Sequence, residues 1–107
     1  MMIKTIKSKK EFGEVFHNGK RVASRLVRIT VLKHSTLKGR IAFVAPKRFG
    51  NAVYRNRCKR VLREAASLCG LPHDSFSIIL FATSKTHDAH PDEVARELGR
   101  LLSKIEK

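Results

Sequence analysis

Seven Lys or Arg side chains fall within the seventeen residues from Lys47 to Arg63, and the first carboxylate to follow them is Glu64. On a helical wheel turning about 100° per residue the stretch separates into two faces. Tyr54, Cys58, Val61, Leu62 and Ala65 share an apolar arc suited to packing on a sheet or another helix. Arg55, Asn56, Lys59, Arg60 and Arg63 share the opposite arc, with Arg57 at its edge. Arg55, Lys59 and Arg63 repeat at i, i+4 and i+8, like charges that cost an isolated helix about 0.2–0.5 kcal/mol per pair. Arg55 also stands in the first turn after the expected N-cap Asn51, where the helix dipole favours anions. An ordinary solvated face mixes charge signs to avoid such costs. This face is arranged for an anion.

Catalytic groups do not accompany the charge. The histidines are His17, His34, His73, His87 and His90, and only His87-Asp88-Ala89-His90 has ligand-like spacing. With no further Cys or His nearby it reads as a polar loop rather than a metal site. A protein-only nuclease working with two metals needs clustered carboxylates. Between Glu14 and Glu64 there is no Asp or Glu, against fourteen Lys and Arg. No glycine-rich phosphate loop or nucleophile motif is present. Cys58 and Cys69, if on one helix, are about 16 Å apart at ~1.5 Å per residue. A disulfide requires Cα atoms within roughly 7 Å. Both lie on the apolar arc and read as small buried side chains, a pattern suited to a reducing cytoplasm.

The chain carries 23 basic and 9 acidic residues, for a net charge of +14. The nine basic residues outside the acid-free middle equal the nine acidic ones, so the whole excess lies between Glu14 and Glu64. That is the footprint of a polyanion partner. An anionic membrane fits poorly. No apolar run approaches the ~20 residues that span a bilayer, and the basic helix has no bulky apolar anchors on its other face. The start, MMIKTIKSKK, lacks the apolar core of a secretion signal. DNA fits poorly too, since no helix-turn-helix spacing is evident. At 107 residues the chain reads as one RNA-binding domain, residues 1–107, with a modest core that needs no disulfide or metal.

The elements that must position the basic stretch follow from patterning. Ser8-Lys9-Lys10-Glu11 has capping-box spacing, and Phe12, Val15 and Phe16 continue a short helix that Asn18-Gly19 ends. Phe12 and Phe16, one turn apart, serve either as core anchors or as a stacking surface for unpaired bases. A short strand around Val22 is expected, then a clear alternating strand from Leu26 to Lys33. After a polar turn from His34 to Gly39, Arg40 to Ala45 reads as a strand antiparallel to it, because the connection is short, and Pro46 ends it. The central helix is expected from about Ala52 to Cys69, closed by Gly70 and Pro72. Ser77 to Ala82 reads as a buried strand, and Thr83 to His90 as a loop. Pro91, Asp92 and Glu93 open a last helix with the stripe Val94, Leu98, Leu101, Leu102 and Ile105.

The run Lys47-Arg48-Phe49-Gly50-Asn51-Ala52-Val53, then Arg55-Asn56-Arg57, Lys59-Arg60 and Arg63-Glu64, resembles the signature of the bacterial ribonuclease P protein component. Glu11-Phe12, Val15-Phe16 and Gly19 resemble that family's first helix. The resemblance implies an α+β sandwich in the order αβββαβα, with a four-stranded sheet and a left-handed βαβ crossover (ribosomal protein S5 domain 2-like). Sequence reasoning alone predicts the right-handed crossover that nearly all such units have. It further implies an accessory subunit of a ribonucleoprotein endoribonuclease in the cytoplasm. That subunit binds ribonuclease P RNA and the 5′ leader of precursor tRNA, while catalysis and magnesium belong to the RNA. By position, Arg55, Asn56, Arg57, Lys59, Arg60 and Arg63 resemble the RNA-contacting motif, and Lys47 and Arg48 extend it. Phe12, Phe16, Arg28 and Thr30 correspond to the leader-binding cleft. Thr30 stands where relatives often carry Tyr or Phe, so the cleft is expected to rely more on charge or on the two phenylalanines. The competing class is a basic structural RNA-binding protein, such as a ribosomal component.

Overall fold

The first helix of the chain lies across one face of a mixed sheet, and the other two helices cover the opposite face. The computed structural model describes residues 6, 9–33, 40–71 and 76–105. The expected cap Ser8 and the expected turn at 34–39 lie outside them. In order, the elements are α1 (Lys9–Asn18), β1 (Lys20–Ala23), β2 (Val27–Lys33), β3 (Ile41–Val44), a single 3₁₀ turn at Lys47–Phe49, α2 (Ala52–Leu68), β4 (Phe76–Ala82) and α3 (Pro91–Ile105).

The strand order is β1-β2-β4-β3, which corrects one expectation. The strand at Ile41–Val44 runs antiparallel to β2, as expected, but does not pair with it as a hairpin. It runs parallel to β4, with Ile41 opposite Ile78 and Val44 opposite Phe81, while β4 lies antiparallel to β2, with Val27 opposite Ala82 and Thr30 opposite Ile79. The apolar run of β4 explains this. Residues 76–80 are all buried, which suits a strand flanked and covered on both sides. The short link to β3 is no obstacle. Skipping one strand needs roughly 10 Å at ~4.8 Å per spacing, and six residues can span about 20 Å. β3, α2 and β4 therefore form a parallel crossover that carries the basic helix onto the sheet.

Alternation divides the strands between two cores. Val27, Ile29, Val31, Ile41, Ile78 and Leu80 form the main cluster with Cys58, Val61, Leu62 and Ala65 of α2 and Val94, Leu98 and Leu101 of α3. Thr30 and Ile79 point to the other face, where both are buried together with Val15 of α1. The stripe expected of α3 is the buried one, with Leu102 packed at its margin.

Candidate nucleic-acid interface

Residues 46–51 aim the basic helix. Pro46 ends the backbone of β3, and Lys47–Phe49 make one 3₁₀ turn. Gly50 then takes φ 147°, a conformation that side chains disfavour, and a Cβ there would sit 3.0 Å from Tyr54. Asn51 caps α2 as the sequence predicts, its Oδ1 accepting the Tyr54 N–H at 3.0 Å. At the far end Leu71 N–H donates to Ala66 and Gly70 N–H to Ser67, the paired bonds of a Schellman stop.

Along α2, Asn56, Arg57, Arg60 and Arg63 are exposed, while Arg55 and Lys59 are half-exposed. The arginines have different local duties. Arg55 Nε donates to the Ala45 carbonyl at 3.0 Å and ties the helix to the end of β3. Arg57 Nε donates to the His87 carbonyl at 3.1 Å and anchors the loop after β4. Arg63 lies over the Phe43 ring, 5.4 Å from its centroid. Among the described residues, no carboxylate lies within ion-pair distance of these arginines or of Lys47, Arg48, Lys59 and Arg60. The like-charge cost read from the sequence is thus uncompensated among the described residues.

The uncovered end of the α1 face holds a groove of about 520 Å³. Phe16, Arg21, Arg28, Thr30, Val44, Pro46, Arg48 and Phe81 line it. Three of the four cleft residues expected from the sequence, Phe16, Arg28 and Thr30, meet here. Thr30 is only 2% exposed and serves as floor rather than contact surface. The fourth, Phe12, does not line the groove. It lies one turn back on α1, its ring parallel to Phe16 at 6.2 Å and 11°, and supports Phe16 from behind. Arg48, at the start of α2's approach, lines the groove as well, so the cationic segment and the aromatic groove form one track. Lys47 is exposed beside it.

Two groove residues escaped the sequence reading. Phe81 sits inside a strand that looks buried throughout, yet the parity of 77, 79 and 81 places it on the α1 face, directly opposite Arg28. Arg21 faces the same way through its pairing with Thr30. Its Cζ lies 4.4 Å from the Phe16 centroid, and its Nη2 donates to the Phe16 carbonyl at 2.8 Å.

Among the described residues, His87, His90 and the two cysteines have structural surroundings of their own. The His87 ring stacks on Tyr54 at 4.0 Å and 2°, with Nδ1 2.8 Å from Asp88 Oδ1. His90 Nδ1 accepts the Asp92 N–H at 3.2 Å at the start of α3. Cys58 is buried and Cys69 half-buried, neither in a disulfide. Burial pushes both thiols above their ordinary range, which keeps them protonated and poor nucleophiles.

A sheet with a cationic helix face leading into a groove of phenylalanine and arginine defines a nucleic-acid-binding α+β protein, equipped for phosphate and for unpaired bases. The family model for ribonuclease P matches residues 3–106, and the chain belongs to that family. It is 34% identical over 104 residues to the ribonuclease P protein component of Natranaerobius thermophilus, covering 95% of this chain and 90% of that one. The corresponding protein of Syntrophus aciditrophicus is 32% identical, with 92% and 84% covered. Among solved structures, the Staphylococcus aureus RNase P protein superposes with a TM-score of 0.78 at 26% identity, covering 99% of this chain and 97% of that one. The Thermotoga maritima RNase P protein, at 24% identity and TM-score 0.78, shares the fold over 97% of this chain and 99% of its own. Membership makes the chain a protein component of a ribonucleoprotein endoribonuclease, with ribonuclease P RNA as its partner.

Proposed function

We propose that α2 holds ribonuclease P RNA with its outer cationic face and that the groove holds the 5′ leader of precursor tRNA. The observation that carries this reading is the position of Arg48, which lines the groove and begins the basic segment, so both strands of RNA meet one continuous surface. Catalytic RNA and precursor tRNA are both polyanions and repel each other. A subunit that neutralises phosphates on each lowers that repulsion and raises substrate affinity without touching the scissile bond.

The hydrolytic step belongs, in this account, to the RNA and its magnesium. The contribution proposed for the chain itself is binding and orientation. No described helix is long and apolar enough to cross a membrane. A cytoplasmic setting follows from the proposed RNA partners.

The leader assignment has a direct test. Holoenzyme reconstituted with ribonuclease P RNA should bind precursor tRNA at least tenfold tighter than mature tRNA lacking the leader, and removing the protein should abolish most of that difference. Equal affinity for the two substrates would rule the leader groove out.

A further inference from the structure

Resting on that reading of the groove, we propose that Phe81 is the side chain on which an unpaired leader base stacks, and that Phe16 is held out of this role.

The Phe16 ring, half-exposed like that of Phe81, already carries a partner. Arg21 stands over it at 4.4 Å, fixed there by its 2.8 Å bond to the Phe16 carbonyl. Phe12 lies parallel behind it, and His17 meets its edge at 5.4 Å. A base arriving at Phe16 must displace the guanidinium and break its hydrogen bond.

Phe81 is placed differently. Helix α1 buries Thr30 and Ile79, one register step further along the same face. Phe81 itself remains half-exposed, carries no guanidinium over its ring among the described residues, and meets Phe16 in an edge-type contact, 6.0 Å between centroids and 65° between planes. Its neighbours across the ladder are Arg28 on β2 and Val44 on β3, and the groove continues past Val44 to Arg48. Arg28 and Arg48 are both exposed, and among the described residues neither has a carboxylate partner. Arg48 rests over the Phe49 ring, 4.9 Å from its centroid, and stays exposed. A half-open aromatic ring between two exposed guanidinium groups suits one base with the phosphates on either side of it, the combination used for single-stranded nucleic acid. Phe81 offers no hydrogen-bonding group, so the site selects for an unpaired base rather than for a particular one.

The test uses holoenzyme reconstituted from the full chain and precursor tRNAs whose leaders carry one abasic nucleotide, moved along the leader. Wild type should lose about tenfold in affinity at one position, the scale of one base–aromatic stack. Phe81→Leu, which keeps apolar volume at a half-exposed site, should lose that factor on the intact leader and nothing more at the abasic position. Phe81→Tyr and Phe16→Leu should retain the abasic penalty. Independently of any variant, a bromouracil placed at that position should photocrosslink to Phe81. A penalty that survives in Phe81→Leu but vanishes in Phe16→Leu, or a crosslink to Phe16, overturns the assignment while leaving the leader groove intact. A wild-type holoenzyme indifferent to the leader removes the groove reading and this inference together.

Discussion

Raising monovalent salt from about 50 to about 200 mM should weaken binding of the chain to single-stranded RNA by about 100-fold, for five phosphate contacts at a slope of roughly −0.7 each. The structure nominates the five. Arg55, Arg57 and Arg21 already donate to main-chain carbonyls of their own fold. That leaves Arg28, Arg48, Lys59, Arg60 and Arg63 along the track with no such bond, and Lys47 exposed at its edge as a sixth cation. Arg60 is the cleanest to remove, because it is exposed and holds no other element in place. Arg60→Ala should reduce the salt slope by about 0.7 and shift folding stability by no more than about 0.5 kcal/mol. Arg63→Ala also forfeits the contact with Phe43, so its effect on stability is larger. Salt titrations of affinity, paired with thermal melts, separate the two roles. A salt-independent affinity would contradict the electrostatic assignment.

Gly19→Ala should destabilise the fold by about 3 kcal/mol, a fall in Tm of roughly 10–20 °C for a domain of this size. The reason is local and severe. A Cβ at position 19 would lie 2.6 Å from the Val15 carbonyl oxygen, 2.8 Å from that of Val31 and 2.9 Å from Thr30 Cγ2. Two of these three atoms are backbone, and the Gly19 N–H is bonded to the same Val15 oxygen at 2.9 Å. No side-chain rotation relieves the clash, so α1 must lift from β2. Val15, Thr30 and Ile79 would then be exposed, and Phe16 would be carried away from Phe81. Leader binding should therefore fall together with Tm. Thermal unfolding decides it: a variant melting within two or three degrees of wild type would show that α1 approaches the sheet less closely than described.

Residues with strong local signals were legible from sequence. Asn51 caps α2, Cys58, Val61, Leu62 and Ala65 face the core, and Val94, Leu98, Leu101 and Ile105 bury the stripe of α3. Each rests on periodicity or capping chemistry within one element. Strand order was not legible, because the apolar run Ile78–Leu80 shows that a strand is covered on both faces without naming its neighbours. The pairing of β3 with β4, rather than with β2, is settled by packing between segments far apart in the chain. The groove was half legible. Phe16 and Arg28 stand out by type, and Arg48 by its place in the basic run. Phe81 looks like core until its register against Arg28 is known. Thr30 looks available until α1 closes over it, and Arg21 looks like one more surface charge until it folds onto Phe16.

The central question is which RNA the chain holds. The most direct measurement is to sequence the RNA that copurifies with the intact chain at low salt from its own cells. One abundant structured RNA of ribonuclease P type, released as salt is raised, is the predicted result. Ribosomal RNA alone, with no ribonuclease P RNA, would contradict the account and make the chain a structural RNA-binding protein instead.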